Sequence, residues 1–491
     1  MPISKTKNYA QIIPDEVRDV LSRLEKAGHD AYVVGGSVRH LIMDEKPNDW
    51  DITTNARPDD VLALFPDRFY ENKFGTVGVK TDSDNANLKV IEVTTYRTES
   101  GYSDKRHPDE IKFADKLEDD LGRRDFTINA LALRDNGEVV DLFGGQADID
   151  KKIIRAVGDP EKRFGEDALR MMRGVRLSAQ TGFEIEDATF KAIHKNHNLM
   201  NSVSKERIRD ELIKLVNSGH ADAGIELLRE TELMKYVLPG LLEGVGVGQN
   251  KHHIYTVWEH NVKALRYACD MKYSFEVRLA SLLHDVGKPR SKRGDGIDST
   301  FYGHEIIGAR MAAEELDRLR FPKEQADKII KLVRYHLFYY NVGEVTESSV
   351  RRLVANIGKE NVEDLIKVRE ADRIGSGVPK AKPYKLRHLQ FMIDKVTRDP
   401  ISPKMLKVNG NDLIKKLGIT PGPRLGYIIS ALMNDVLSDP IKNSAEFLLD
   451  RANDLNKLEE EDLIKLSQSG KEKTAEEEER EVGKIKGKHF V

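Results

Sequence analysis

The period of the apolar positions changes along this chain, from mixed at its start to helical for most of its length. Residues 15 to 27 predict an amphipathic helix and residues 31–34 a strand. Thr76-Val77-Gly78-Val79, Leu88 to Tyr96 and Glu138 to Leu142 predict further strands, which gives a mixed α/β head over residues 1–155. From Lys162 onward helical periodicity persists almost to the end. The glycine-rich break Gly240 to Gly248 separates a helical segment, 156–240, from a second helical unit, 245–378. Another break, Gly375 to Pro383, precedes a last helical region, 384–470. Residues 471–491 contain KEKTAEEEEREVGKIKGK, have little apolar content, and read as solvated, either disordered or a frayed helix. The predicted fold class is α+β, a mixed-sheet head followed by a mostly α-helical remainder.

Length and composition narrow this picture. At 491 residues the chain is too long for one core and should form three or more domains. A third of it is charged, yet the net charge is only −3, so any RNA surface must be local. The one cysteine, Cys269, excludes an intrachain disulfide framework and fits a reducing compartment. The start, MPISKTKNYAQIIPDEV, lacks a signal-peptide apolar core, and no run approaches the length needed to cross a bilayer. These features predict a soluble, cytoplasmic protein.

Candidate chemistry begins at Val33 to Asp51, VVGGSVRHLIMDEKPNDWD. The apolar run ends in Gly35-Gly36-Ser37, whose backbone N–H groups are free to cradle phosphates. Asp49 and Asp51 follow. On an extended strand residues two apart share a face, so both carboxylates aim at one spot while Trp50 and Ile52 face the opposite layer. Hard oxygen ligands converging on one side of a sheet suit Mg²⁺. Glycine pairs and Asp-x-Asp triplets are common singly; in this order they describe a site for a metal-bound nucleoside triphosphate. The stretch resembles the nucleotidyltransferase superfamily that includes DNA polymerase beta, whose signature is Gly-Ser followed at a set distance by Asp-x-Asp. Glu92, in Val90-Ile91-Glu92-Val93, is either a third carboxylate or a structural hydrogen-bond partner.

Two further blocks follow. In Arg123 to Ala130, RRDFTINA, the arginines can meet phosphate or ribose oxygens while Phe126 and Ile128 pack inward. In GEDALRMMRGVRLSAQ, from Gly165, the residues Ala168, Met171, Met172, Val175 and Ala179 line one apolar stripe of a helix. Asp167, Arg170 and Arg173 neighbour one another along a different face, either as a solvated i,i+3 salt bridge or as a base reader. An aspartate accepts from an exocyclic amine and an arginine donates to a ring nitrogen or carbonyl oxygen. Adenine and cytosine present an amine beside an acceptor. Guanine and uracil put oxygen against the carboxylate, leaving buried polar groups unpaired at roughly 1–3 kcal/mol each.

In order, the three blocks resemble the class II tRNA nucleotidyltransferases, or CCA-adding enzymes, and their relatives the bacterial poly(A) polymerases, over about residues 10 to 240. The resemblance implies that Asp49 and Asp51 bind catalytic Mg²⁺ and that Gly35, Gly36, Ser37 and Arg39 hold the triphosphate. It implies that Arg124 and Asp125 recognise the ribose, and that Asp167 and Arg170 template the base. Asn129, Arg173 and Arg176 complete the expected nucleotide-binding set. In the family the loop from Tyr96 to Pro108 helps the switch from C to A addition; its full length here argues against an enzyme adding only C. Two positions depart from the family pattern. Arg39-His40 stands for the usual Arg-Asp, and Asp44 for a glycine. His40 is not expected to anchor Arg39 as an aspartate would.

A second series, His260, His284-Asp285, His304, His336 and Asp372, is spread over separate predicted helices, with His284 and Asp285 adjacent in SLLHDVGKP. Histidines and carboxylates from several helices can close around a divalent or transition metal. The series resembles the HD phosphohydrolase superfamily. That implies a divalent metal of unspecified identity on His260, His284, Asp285 and Asp372, and a second metal at His304 and His336. It also implies activity on phosphate esters such as cyclic phosphates or damaged RNA ends. His29, His107, His194, His220, His252 and His253 read as ordinary surface residues. Near the end, Pro421-Gly422-Pro423 lies between two predicted helices and resembles the RNA-holding tail of these enzymes.

The resulting expectation is a nucleotidyltransferase head (1–155), a helical neck with a nucleotide-selecting helix (156–240) and an HD domain (245–378). An RNA-binding tail (384–470) and the charged stretch 471–491 follow. The expected partners are tRNA, ATP and CTP. The expected reaction is template-independent addition of C, C and A to tRNA 3′ ends. Its rivals are A-only addition, a poly(A) polymerase on the same head, and an HD phosphohydrolase whose head merely binds RNA.

Overall fold

The computed structural model describes residues 9–47, 49–72, 75–100, 110–250, 254–294, 296–338, 340–397 and 403–491. Most of the expected C-to-A loop, with His107, His252 and His253, lies outside the described residues. The chain divides into two compact units, Met1–Leu337 with Lys367–Pro379, and Phe338–Ile366 with Lys380–Val491.

The head of the first unit is built on a mixed sheet. In chain order its strands and those of a neighbouring hairpin are β1 (Ala31–Val34), β2 (Asp51–Thr54), β3 (Arg68–Asn72), β4 (Thr76–Lys80), β5 (Val90–Thr95), β6 (Arg97–Ser100), β7 (Glu110–Phe113), β8 (Leu131–Leu133) and β9 (Val139–Asp141). Seven form one sheet in the order β3-β4-β5-β2-β1-β8-β9, parallel only between β2 and β5. β6 and β7 pair separately as an antiparallel hairpin. All four residues of β1 are buried, as a central strand covered on both faces requires. The opening helix, Asp15–Lys26, buries Val17, Val20, Leu21 and Leu24, the one-sided stripe that its pattern predicts.

The neck is helical from Pro160–Glu166 onward, with Met171, Met172, Val175, Ile208, Leu212 and Leu215 wholly buried. The helices Val257–Asp270, Phe275–Leu283, His304–Arg318 and Lys323–Tyr335 follow. Residues 338–366, part of the expected module 245–378, group by packing with the second unit. There Val350 and Ile366 bury themselves against Leu386, Leu389 and Ile393. A second core in that unit gathers Leu413, Ile428, Leu432, Leu448, Leu455 and Leu463.

Residues 471–491, expected to be disordered or frayed, continue the long helix Glu460–His489. Pairs at helical spacing, Glu477 with Arg480 and Glu481 with Lys484, run along it, and Lys488 and His489 both reach Asp394. Charge patterning thus supports a helix that apolar content alone does not advertise. Among the described residues no helix is long and apolar enough to cross a membrane.

Candidate active site and metal centre

Strand register assembles the first motif. β1 and β2 are antiparallel and joined through the helix Gly36–Ile42, so Val34 at the end of β1 pairs with Asp51 at the start of β2. Asp51 also pairs in parallel with Glu92 of β5. Partners in register project to the same face of a sheet, so the Glu92 side chain stands beside that of Asp51. Asp49 is exposed, Trp50 buried, Asp51 half-buried and Ile52 buried, the alternation that puts both aspartates on one side. Asp49 itself lies just ahead of β2. Among the described residues, Asp49, Asp51 and Glu92 do not form a set whose donor atoms all approach within 4.8 Å. The two aspartates nonetheless supply the hard oxygen donors that suit Mg²⁺.

Opposite them lies concentrated positive charge. Gly35 turns the chain with φ +77°, and a Cβ there would sit 3.2 Å from Arg124 Nη1; one on Gly36 would sit 3.7 Å from Arg39 Nη2. Two guanidinium groups therefore lie over the glycine turn. Burial, and next the nearby Arg176, push Arg39 below the usual arginine value, a mark of cations gathered in one place. Ser37 is committed to the backbone, its hydroxyl donating to Val34 O at 2.9 Å.

A hydrogen-bond chain ties this corner to the neck. Arg39 Nη1 donates to Asn129 Oδ1, and Asn129 Nδ2 donates to Asp125 Oδ1 at 3.2 Å. Arg173, on the neck helix Leu169–Thr181, donates through Nε to Asp125 Oδ2 at 2.8 Å. Burial alone would raise the Asp125 pKa; Arg173 and the Asn129 amide more than reverse it and hold the carboxyl far below its usual range. Arg39 Nη2 also meets His40 Nε2 at 2.9 Å. His40, not expected to anchor Arg39 as an aspartate would, nonetheless offers it a ring nitrogen that accepts while the imidazole is neutral.

Arg124 leans on a residue that the sequence reading passed over. Asp120, fully buried, accepts from Arg124 Nη2 at 3.2 Å, from Arg123 Nη2 at 2.7 Å and from the Thr53 hydroxyl at 3.2 Å. Its signal was present, an acid one helical turn before a double arginine.

The selecting block is arranged differently from expectation. The helix expected from Gly165 breaks: one helix ends at Glu166, the next begins at Leu169, and Asp167 between them has extended backbone. Asp167 is therefore off the face that carries Arg170 and Arg173, and the i,i+3 neighbours do not pair. Arg207 instead grips it through two hydrogen bonds, 3.2 and 2.7 Å, while Asp167 Oδ1 caps Leu169 N at 3.0 Å. Arg170 bonds to Glu166 at 2.7 Å and to Arg123 O at 3.1 Å. Arg176 pairs with Glu211 at 2.5 Å and Gln180 at 2.6 Å. The predicted stripe of Ala168, Met171, Met172, Val175 and Ala179 is completely buried.

The second series closes into one buried cluster. His260 Nε2 and His284 Nε2 lie 2.8 Å apart, and both face Asp285 Oδ2, at 3.1 and 3.3 Å, and Asp372 Oδ1, at 3.4 and 3.6 Å. His304 and His336 face the other oxygen, Asp285 Oδ1, at 3.2 and 3.5 Å. His284, expected with Asp285 on one helix, caps the C-terminus of Phe275–Leu283. Three of the rings share one anchoring device: Nδ1 bonds the carbonyl three residues back, Ser281, Phe301 or Val333, each at 2.7 Å, leaving Nε2 pointed inward. Burial would lower the His284 pKa, but Asp285 and Asp372 raise it to about 10. Two donor sets, His260, His284, Asp285 and Asp372, and Asp285, His304 and His336, each bring their ligand atoms within 4.8 Å. Imidazole and carboxylate donors, all buried and sharing Asp285, fit a divalent metal pair. Lys288, missed in the sequence, forms an ion pair with Asp285 Oδ2 at 2.5 Å and donates to Gln249 Oε1 at 2.6 Å.

Comparisons with known proteins match the regions that carry both clusters. A family described as the poly A polymerase head domain matches residues 31–155, and one described as "Probable RNA and SrmB- binding site of polymerase A" matches residues 182–244. The HD domain family matches residues 257–375. Fold and matches together define a nucleotidyltransferase head joined to an HD domain. The CCA-adding enzyme of Lactobacillus helveticus is 33% identical over 446 residues, covering 89% of this chain and 96% of that protein. That of Ligilactobacillus salivarius is 34% identical over 453 residues, 90% of this chain and 98% of that one. The chain belongs to the CCA-adding enzyme family. Among solved structures, the Bacillus stearothermophilus CCA-adding enzyme in complex with CTP aligns with TM-score 0.58 and 29% identity, over 91% of this chain and 100% of that one. The Thermotoga maritima CCA-adding enzyme complexed with tRNA shares the fold, with TM-score 0.52, 18% identity, and 94% and 98% of the two chains covered.

Proposed function

We propose that this chain adds C, C and A to the 3′ ends of cytoplasmic tRNA, drawing on CTP and ATP without a nucleic-acid template. The observation that carries this reading is the pairing of Val34 with Asp51, which sets a glycine turn flanked by Arg39 and Arg124 against a pair of carboxylates. The CTP complex of the Bacillus stearothermophilus relative supports CTP as one substrate, and the tRNA complex of the Thermotoga maritima relative supports the acceptor.

In this reading Gly35, Gly36, Ser37 and Arg39 receive the triphosphate, and Arg124, Asp125 and Asn129 stand at the ribose. Asp49 and Asp51 hold Mg²⁺, which when bound favours the ionised 3′-hydroxyl and neutralises the departing pyrophosphate. The tRNA 3′-oxygen bonds to the α-phosphorus as the bond to the β-phosphate oxygen breaks. The hydroxyl proton leaves to solvent, and pyrophosphate is released. Asp167 and Arg170 read the amine and acceptor shared by adenine and cytosine, with Arg173 and Arg176 completing the wall. The arginine grip of Arg207 keeps the Asp167 carboxylate in one orientation. Helices around Pro421–Pro423 in the second unit suit duplex RNA held by shape and phosphates.

Asp49→Ala with Asp51→Ala should lower nucleotide incorporation into tRNA by roughly a thousandfold or more, because both metal-bearing carboxylates are lost. Survival of incorporation in that variant overturns the site assignment.

The buried His and Asp cluster supports a second activity, metal-dependent hydrolysis of phosphate esters at the HD centre. Asp285→Asn should abolish Mn²⁺-dependent hydrolysis of bis(p-nitrophenyl) phosphate and leave nucleotide addition intact. Equal hydrolysis by this variant and the parent removes the HD reading.

A further inference from the structure

The hydrogen bond between Arg39 and His40 couples a phosphate-facing cation to a side chain that can gain a charge. We propose that His40 is a positioning residue that holds Arg39 at the glycine turn only while its imidazole is neutral, so that nucleotide affinity falls as the site is acidified. The inference rests on the reading of Arg39 as part of the triphosphate cradle.

The geometry fixes the roles. Arginine has only donors, so His40 Nε2, 2.9 Å from Arg39 Nη2, can only accept, which requires a neutral ring with its proton on Nδ1, a buried atom that has no hydrogen-bond partner among the described residues. The opposite Nη1 donates to Asn129, so the guanidinium is held on both sides, and Arg39 is only 7% exposed. Nothing in this arrangement survives protonation of the ring. The charged imidazole presents an N–H to a guanidinium N–H, cation to cation. Glu45 Oε2, 3.8 Å from the same Nε2, is the carboxylate to which that N–H can turn. Protonation therefore exchanges the Arg39 partner for Glu45 and leaves Arg39 anchored by Asn129 alone.

The groups facing His40 are Arg39 on its own helix, Glu45 in the turn that follows, and Asp49 from the segment entering β2. Burial and Arg39 favour the neutral ring; Glu45 and Asp49 oppose them without prevailing, and the pKa stays below the usual 6.5. On the far side, Arg39 itself answers to Arg176 and Asp125. The sign follows. A depressed histidine pKa leaves the Arg39 contact complete at neutral pH and loses it as pH falls through the acid range. An aspartate in the same place would accept throughout.

Equilibrium binding of CTP and of ATP, with Mg²⁺ and without tRNA, tests this on the full chain between about pH 4.5 and pH 8, a range that reaches below the lowered histidine pKa. The parent should lose roughly tenfold in affinity over the acid limb relative to His40→Asn, whose amide oxygen accepts but does not titrate. The phosphates of the nucleotide titrate equally in both. Steady-state rates should show the difference in the nucleotide KM and not in kcat. His40→Asp should match His40→Asn, and serves in its place if the asparagine variant unfolds. Superimposable pH profiles for the parent and these variants overturn the inference. Arg39→Ala separates the two readings. If it leaves affinity unchanged, the cradle reading fails and this inference with it. If it weakens binding while the pH profiles coincide, only the role of His40 fails.

Discussion

Arg207 closes on Asp167 with two hydrogen bonds from a helix that lies 40 residues further along the chain. The side chains are 22% and 15% exposed, so the pair sits between the weak surface case and the costly buried one. Arg207→Ala should destabilise by about 1–2 kcal/mol on that basis, read from denaturant melts. It should also let Asp167 rotate, raising GTP and UTP incorporation roughly tenfold relative to ATP and CTP, since one misplaced polar contact is worth about 1.4 kcal/mol. Unchanged base preference with lowered stability would assign Asp167 a structural part only. Local spacing decided what could be read in advance at this scale. Gly35-Gly36, Asp49 and Asp51 fall within one turn-helix-strand unit and announced themselves. Asp120 lies within a helical turn of Arg124 and could have been found. The grip of Arg207 on Asp167 has no short-range signal, and so the sequence did not reveal it.

At the scale of elements, the HD motif depends on a glycine. A Cβ on Gly287 would fall 2.2 Å from His304 O and 2.4 Å from Gly308 N, backbone atoms at the start of the helix His304–Arg318. Gly287→Ala must push that helix away from the His284–Asp285 turn. We expect a loss of about 1–3 kcal/mol, the usual range for overpacking, together with weakened metal binding at Asp285, His304 and His336. Thermal unfolding and metal titration check the two effects, and an alanine variant with unaltered melting and metal affinity would contradict this packing. Element types were largely legible, since β1, the opening helix and the buried neck stripe follow simple periods. The strands β3 and β8 were not anticipated. The helix through residues 471–489 escaped because its support is ion pairing, not an apolar face.

On the scale of the whole molecule, the HD cluster and the head lie in the same compact unit, while residues 338–366 belong with the later helices. Sequence breaks marked the boundary near residue 380 but not the one at 337, because helical periodicity runs through it without interruption. A buried cluster of four histidines and two aspartates links metal binding to folding. Mn²⁺ at about a thousand times its dissociation constant should stabilise the first unit by roughly 4 kcal/mol, and a chelator should reverse this. The transition of the second unit should not move. Asp285→Asn should remove the metal-induced shift, and a shift that persists in it places the metal elsewhere.

The product formed on tRNA that ends before its CCA, incubated with CTP, ATP and Mg²⁺, separates CCA addition from its rivals. Extension by C, C and A followed by arrest is the expected product. A ladder of adenylates without cytidine uptake, or addition of A only to tRNA already carrying both cytidines, would contradict it.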